Sequence, residues 1–218
     1  MTKAAFIAIE GCDGVGKSTI RNLLHKMLWE HGLHCSMVGQ HSWLDLGASR
    51  VIVDVRERLR EREPAEISEA YFIDKRLHAS ATIEPALYLG PVISDRYIIS
   101  DAVYQEALYG ISAEETLLKH KRENTLLPDA ILYVDAAVPT AYERILRRSK
   151  HTRHYERPVE LAVIQAIYER IIPYCKSDLG IESLIFLNEH HDVEERVRSS
   201  ILDFIIALNR QGTLARDA

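Results

Sequence analysis

Eight consecutive residues, Gly11-Cys12-Asp13-Gly14-Val15-Gly16-Lys17-Ser18, fit the pattern G-x-x-x-x-G-K-[ST]. The chemistry of such a run is phosphate binding. Its glycines let backbone N–H groups curl round phosphate oxygens, and a helix starting at its end adds the positive end of a dipole. Lys17 is expected to reach β- and γ-phosphates, and the Ser18 hydroxyl to ligand Mg²⁺. Cys12 has no histidine base at a useful place and reads as a small loop filler. A second group, Ser94-Asp95-Arg96-Tyr97, closes another apolar run. An acid and an arginine there can serve a magnesium ion and a phosphate.

These groups need elements to hold them. Residues 4–10 read as a buried strand entering the glycine run. Residues 18–31 then carry Ile20, Leu23, Leu24, Met27 and Leu28 on one helical face, ended by Gly32. Further strands are expected at 34–38, 91–95, 130–135 and 184–187. Helices are expected at 48–63, at 65–89 with an interruption near Pro85, as a pair after Tyr97, and at 138–149, 158–174 and 192–209. Ser112 with Glu115 forms a capping box for the second of that pair. Strands alternating with helices imply a parallel sheet covered on both faces, with ligands beyond the carboxyl ends of its strands.

Composition narrows the function classes. The 218 residues suit one domain, 1–218, with one sizeable core, and the net charge of −5 argues against a general nucleic-acid binder. No apolar run reaches the length needed to cross a membrane, and the amino terminus lacks the longer apolar stretch of a secretion signal. Three scattered cysteines without zinc spacing suit free thiols in a reducing cytoplasm. His151, His154 and the pair His190–His191 lack a cysteine or carboxylate frame and read as solvated rather than metal-binding.

Four stretches together are more specific than any one motif: FIAIEGCDGVGKST at 6–19, FIDKRLH at 72–78, PVISDRYIISDAVYQ at 91–105 and RRSKHTRHYE at 147–156. In type and order they resemble the thymidylate kinase family of nucleoside monophosphate kinases, over nearly the whole chain. The resemblance implies a P-loop NTPase three-layer α/β fold, with a five-stranded parallel sheet and a short mobile lid at about 147–157. It implies ATP and Mg²⁺ as cofactors, a nucleotide acceptor, a homodimer and transfer of a phosphoryl group to dTMP. Gly11, Asp13, Gly14, Gly16, Lys17, Ser18 and Thr19 would bind the donor, with Ser18 and Asp95 serving the metal. Phe72 would stack on the base and Arg76, four residues on, would bond its edge. Arg96 would hold the acceptor phosphate, Asp13 would contact the sugar, and Tyr104 would crowd the 2′ position. Ser100, Asp101, Gln105 and Tyr155 complete the implied acceptor site.

The lid stretch 143–157 sums to +4, leaving −9 for the rest of the chain. Phosphoryl transfer needs positive charge about the moving group. Gly14 stands where some relatives place an arginine, which resembles the subgroup whose catalytic arginine comes from the lid. Arg148 and Arg153 are the candidates, with Arg147 a third. Around the acceptor the chain departs from the pattern. No arginine follows the second strand, where Gly39-Gln40-His41-Ser42-Trp43 stands, and Val103 precedes Tyr104 where alanine is usual. Asp101 replaces a neutral residue and can accept from thymine N3–H or from an exocyclic amine. Two alternatives therefore stand beside dTMP: another nucleotide, nucleoside or small-molecule acceptor, with Glu10 available as a base for a hydroxyl, or a nucleotide-binding regulator without catalysis.

Overall fold

A computed structural model describes residues 4–148, 152–189 and 192–214, and the side chains of these up to residue 209. His151, Lys150 and His190–His191 lie outside the described residues. Strand β1 (Phe6–Glu10) is wholly buried, as five successive apolar or internally bonded side chains require. It lies at the centre of a parallel sheet ordered β2-β3-β1-β4-β5. Its neighbours are β3 (Val92–Asp95) and β4 (Ala130–Asp135), outside which lie β2 (Ser36–Val38) and β5 (Glu182–Leu187). The register sets Ile9 beside Asp95 and Glu10 beside Tyr133, so the glycine run and the Asp95-Arg96 pair leave the same edge.

Helix α1 (Lys17–Glu30) packs Ile20, Leu24, Met27 and Leu28 on the sheet. Helices α2 (Leu46–Arg56) and α3 (Pro64–His78) build a second small core from Ala48, Ile52, Val55, Ile67, Ala70 and Tyr71. Helix α2 stops seven residues short of the expected end; Arg58, just beyond it, turns the chain with a φ of 52°. A π turn at Ala79–Ile83 carries α3 into α4 (Glu84–Leu87), so the helical run passes through Pro85, with the wider turn lying immediately before the residue that lacks an N–H. Helices α5 (Ile98–Tyr109), α6 (Ala113–Arg122) and α7 (Val138–Arg147) follow, and the Ser112 hydroxyl accepts from Glu115 N–H at 3.2 Å.

Helix α8 (Pro158–Leu179) runs straight past Pro173, five residues beyond the expected stop. Its buried stripe, Ile167, Ile171, Ile172, Cys175 and Leu179, continues across the proline, and packing outweighs one lost ladder bond. The closing segment is α9 (Val193–Arg196), a π turn at Val197–Leu202 and α10 (Asp203–Leu214). Among the described residues no helix is long and apolar enough to cross a membrane.

Candidate active site

The glycine run is held open by its backbone. Gly11, Gly14 and Gly16 have φ values of 137°, 82° and 96°, which side-chain-bearing residues rarely adopt. A Cβ on Gly14 would stand 2.2 Å from the Ala141 carbonyl oxygen on α7, so the loop and that helix touch backbone to backbone. Asn188 donates to Val15 O at 2.7 Å, and Arg144 donates to Asn188 O at 2.9 Å. Lys17 is buried and donates to Cys12 O at 2.5 Å. Burial, and the positive charge of Arg96, lower its pKa to about 8. Ser18 and Thr19 are exposed and line a cleft of about 1020 Å³ above the loop. That cleft also holds Asp95, Arg144, Arg148 and Arg153.

Arg96 is the hub beside this loop. It sits at the end of β3 with φ 72°, a strained value for a side-chain-bearing residue, held there by several bonds. Its backbone N–H donates to Ile9 O at 3.0 Å, and Ser94 Oγ donates to its carbonyl at 2.5 Å. The guanidinium donates to Gly11 O at 2.8 Å, Ser100 Oγ at 3.0 Å, Asp13 Oδ1 at 2.9 Å and Tyr104 OH at 3.1 Å. Tyr104 in turn donates to Asp13 Oδ2 at 2.8 Å. Burial alone would raise the Asp13 pKa; Arg96 and Lys17 overrule it and hold the carboxyl well below the usual range.

Beneath the hub lies Glu10, fully buried. It accepts from Tyr97 N–H at 2.9 Å and from the Ser100 hydroxyl, tying β1 to the start of α5. Burial raises its pKa to about 7, against the lowering effect of Ser100 and Arg96.

Asp95 and Ser18 are the oxygen donors suited to a hard cation such as Mg²⁺. Both line the cleft, but Asp95 is ion-paired with Arg21 of α1 at 2.8 Å. The sheet edge therefore supplies the right donor set, with an internal cation on the carboxylate.

A second, narrower pocket opens on the other side of Arg96. Tyr71, Asp101, Gln105 and Tyr109 line it, together with Asp13, Arg56, Tyr104 and Tyr155. Tyr104 and Tyr155 meet edge to face at 5.5 Å. Behind two of these lining residues Lys75, fully buried, donates to Gln40 O at 2.6 Å and pairs with Asp74 at 2.9 Å and Asp101 at 3.0 Å. Gln40 donates to Asp101 at 2.6 Å. Asp74 also accepts from Ser42 N–H, Ser42 Oγ and Trp43 N–H, and bonds His41 at 3.0 Å. Burial would raise the Asp74 pKa, but His41 and Lys75 push it far down. The loop after β2 thus lacks an arginine and is anchored to α3 by hydrogen bonds.

Phe72 and Arg76 do not face this pocket. Phe72 packs against His120 at 5.1 Å with Lys119 over its ring at 4.2 Å, while Arg76 is exposed. Their neighbours Tyr71 and Lys75, also four apart, occupy the pocket side. Of the lid residues, Arg148 is paired with buried Glu156. Arg153 lies 3.8 Å from Glu57 and donates to Tyr155 OH at 2.9 Å, and Arg147 is paired with Glu143 on its own helix. Arg153 reaches both cavities, Arg148 only the cleft, and Arg147 lines neither.

A family model described as thymidylate kinase matches residues 9–181. The chain belongs to the thymidylate kinase family. It is 33% identical over 175 residues to a thymidylate kinase of Leptospira interrogans, covering 78% of this chain and 83% of the relative. It is 30% identical over 204 residues to a probable thymidylate kinase of Archaeoglobus fulgidus, covering 91% and 95%. A thymidylate kinase of Shouchella clausii is 33% identical over 152 residues, covering 66% and 69%. As a member of the thymidylate kinase family the chain is a phosphotransferase.

Sequence reasoning missed several residues of this kinase. Arg56, at the last turn of α2, lines both cavities and supplies positive charge where the loop after β2 has none. Arg21 and Tyr168 gave no signal of their own. Tyr71 and Lys75 did: Ile67, Ala70, Tyr71, Asp74, Lys75 and His78 follow one helical period, and all are buried. The charges at 74 and 75 break the apolar stripe, which favoured the neighbouring pair.

Proposed function

We propose that the chain transfers the γ-phosphoryl group of ATP to dTMP, giving dTDP, with Mg²⁺. One observation carries this. Asp13, Gln40, Arg56, Arg96 and Arg153 line both the phosphate-loop cleft and the aromatic pocket, so the two cavities meet at three arginines. A donor chain lying on the loop and an acceptor phosphate in the pocket would approach each other there. Little covalent help is needed, because catalysis of phosphoryl transfer is positioning and charge.

In this reading the loop and Lys17 hold the donor, with Ser18 and Asp95 holding the metal. Bound Mg²⁺ neutralises phosphate charge and orients the transferred group. Arg96 and Arg56 hold the acceptor phosphate, which is already ionised and needs no general base. Tyr104, fixed by its bond to Asp13, crowds the sugar, and Tyr71 supplies the aromatic wall that Phe72 does not. Arg153 is favoured over Arg148 as the lid cation, because Glu156 holds Arg148. The same reading takes residues 1–218 as one kinase domain with its lid at about 147–157, acting in the cytoplasm as a homodimer. The exposed Leu46 and Val53 on α2 suit such contact.

The test is ADP release from ATP and Mg²⁺ with and without dTMP, repeated with Lys17→Ala. Turnover should depend on dTMP, and the variant should lose about 10³-fold in kcat, as loss of a charge-stabilising donor does. Absence of turnover at saturating dTMP would sink the reading.

A further inference from the structure

The arginines shared by the two cavities are Arg56, Arg96 and Arg153, and they are held differently. Arg96 donates to Gly11 O, Ser100 Oγ and Asp13. Arg153 donates to Tyr155 OH at 2.9 Å and lies 3.8 Å from Glu57. Arg56 has neither a hydrogen bond nor an ion pair among the described residues; its guanidinium carbon lies instead 5.8 Å from the centre of the Trp43 ring. Resting on the reading above, we infer that Trp43 is a positioning residue: its indole holds the Arg56 guanidinium where the cavities meet and leaves its N–H donors free for the acceptor phosphate.

An arginine can be oriented by a carboxylate or by an aromatic face, with different results. A carboxylate takes up N–H donors and offsets the charge. An indole attracts the cation through its face, so the in-plane donors and the charge stay available. At Arg96 and Arg153 part of each fork is spent on acids, hydroxyls and a carbonyl. At Arg56 no donor is taken by a described residue. That arrangement suits a ligand that arrives with its own negative oxygens.

The backbone at Trp43 is strained for a side-chain-bearing residue. Its φ is 58°, a value that bulky residues rarely adopt and glycine adopts freely. The Trp43 N–H donates to Asp74 Oδ1 at 3.1 Å, and the His41 ring lies 4.8 Å from the indole. Trp43 is 44% exposed and lines neither cavity, so its ring neither fills the core nor walls the site. What the ring meets is the side chain of an arginine that lines both. The loop after β2 has no arginine of its own, and it sets an aromatic face against one from the last turn of α2.

The experiment is a double-mutant cycle on initial rates of ADP formation from ATP, Mg²⁺ and dTMP. Trp43→Gly keeps the turn and removes the ring. It should raise KM for dTMP by about 3- to 5-fold, the size of one exposed cation–π contact, with KM for ATP nearly fixed. Trp43→Phe should recover part of that loss, because it restores a face. Arg56→Gln should raise KM for dTMP by about 10-fold or more, and adding Trp43→Gly to it should cost nothing further. No effect of Trp43→Gly, the same loss in both backgrounds, or an equal rise in KM for ATP overturns the inference and leaves the dTMP reading intact. No turnover of dTMP by the wild type overturns that reading instead, and the contact is then read directly. In a Trp29→Phe chain Trp43 is the remaining tryptophan, and Arg56→Gln should shift its fluorescence emission. An unchanged spectrum overturns the contact itself.

Discussion

The phosphate-loop cleft and the aromatic pocket, proposed above as donor and acceptor ends, are held by different means. The donor end is a matter of backbone. Three glycines with positive φ, a helix start and one carbonyl-bound lysine set it, and its outer turn is pinned by Asn188 and Arg144. The acceptor end is a matter of buried charge. Glu10, Arg96 and Asp13 form one network, and Lys75, Asp74 and Asp101 another, with only hydroxyls, amides and one imidazole between them. A backbone-built site tolerates side-chain change but almost no change of glycine. An ion-built site keeps its shape only while every partner is present, because each buried charge left alone costs several kcal/mol.

Three variants probe that contrast. The largest effect is expected at Glu10. Its pKa is raised from 4.5 to about 7, so the folded protein binds more protons than the unfolded chain between those values, and stability falls as pH rises through that window. Glu10→Gln removes the buried charge. It should be more stable than wild type by up to about 3 kcal/mol at pH 8, with the gap closing by pH 4.5. Urea unfolding at both pH values measures this, and an equal gap at both would show that the charge is not what strains the network. The variant should also raise KM for the acceptor, since Ser100 and Tyr97 lose their anionic partner.

Arg96→Lys comes next. A lysine keeps the charge but not the fork that reaches Gly11, Ser100 and Asp13 at once. It should lower kcat/KM for dTMP by about 2 kcal/mol, roughly 30-fold, while the KM for ATP stays nearly fixed. Equal losses for both substrates would mean that the hub belongs to both ends. The smallest effect is expected at Arg21. Its pair with Asp95 is partly solvated, and such pairs contribute little to stability. Arg21→Gln should leave the melting temperature almost unchanged and lower by a few-fold the Mg²⁺ concentration that half-saturates the ATP-bound protein in calorimetry, consistent with relief of a charge contact worth about 0.2–1 kcal/mol.

The same contrast explains what was legible in the sequence. The donor end is written in adjacent residues, because a loop built from its own backbone needs its glycines and lysine at fixed spacing. The sheet, its five strands and the Asp95-Arg96 pair follow from short apolar runs, with ends displaced by one or two residues. The aromatic pocket is assembled from the loop after β2, α2, α3 and α5, and its lining residues are spread from Gln40 to Tyr109 rather than gathered in one run. There the family spacing of an aromatic and a basic residue four apart occurs twice, at Phe72/Arg76 and Tyr71/Lys75; both aromatics are buried alike, and what separates the pairs is that Tyr71 lines the pocket while Phe72 packs on His120, and that Lys75 is buried while Arg76 is exposed. Arg56 is one arginine among several in a charged stretch, and nothing local marks it. The end of α8 was legible only to within five residues, because the buried stripe that extends it to Leu179 continues past Tyr174 with no local mark.

Gly14 has a consequence for how such a sequence can change. Its position touches the Ala141 carbonyl so closely that any side chain there requires α7 to move. That helix leads into the basic lid stretch. If the catalytic cation comes from residues 147–157, as proposed above, an arginine at position 14 would be an alternative to it joined through one helix, and a single substitution would not exchange the two. The exchange needs a shift of α7 together with the new residue, and chains carrying only one of the two changes would have a misplaced loop. On that proposal, the source of the cation would be inherited as a unit with the placement of α7 rather than sampled one residue at a time.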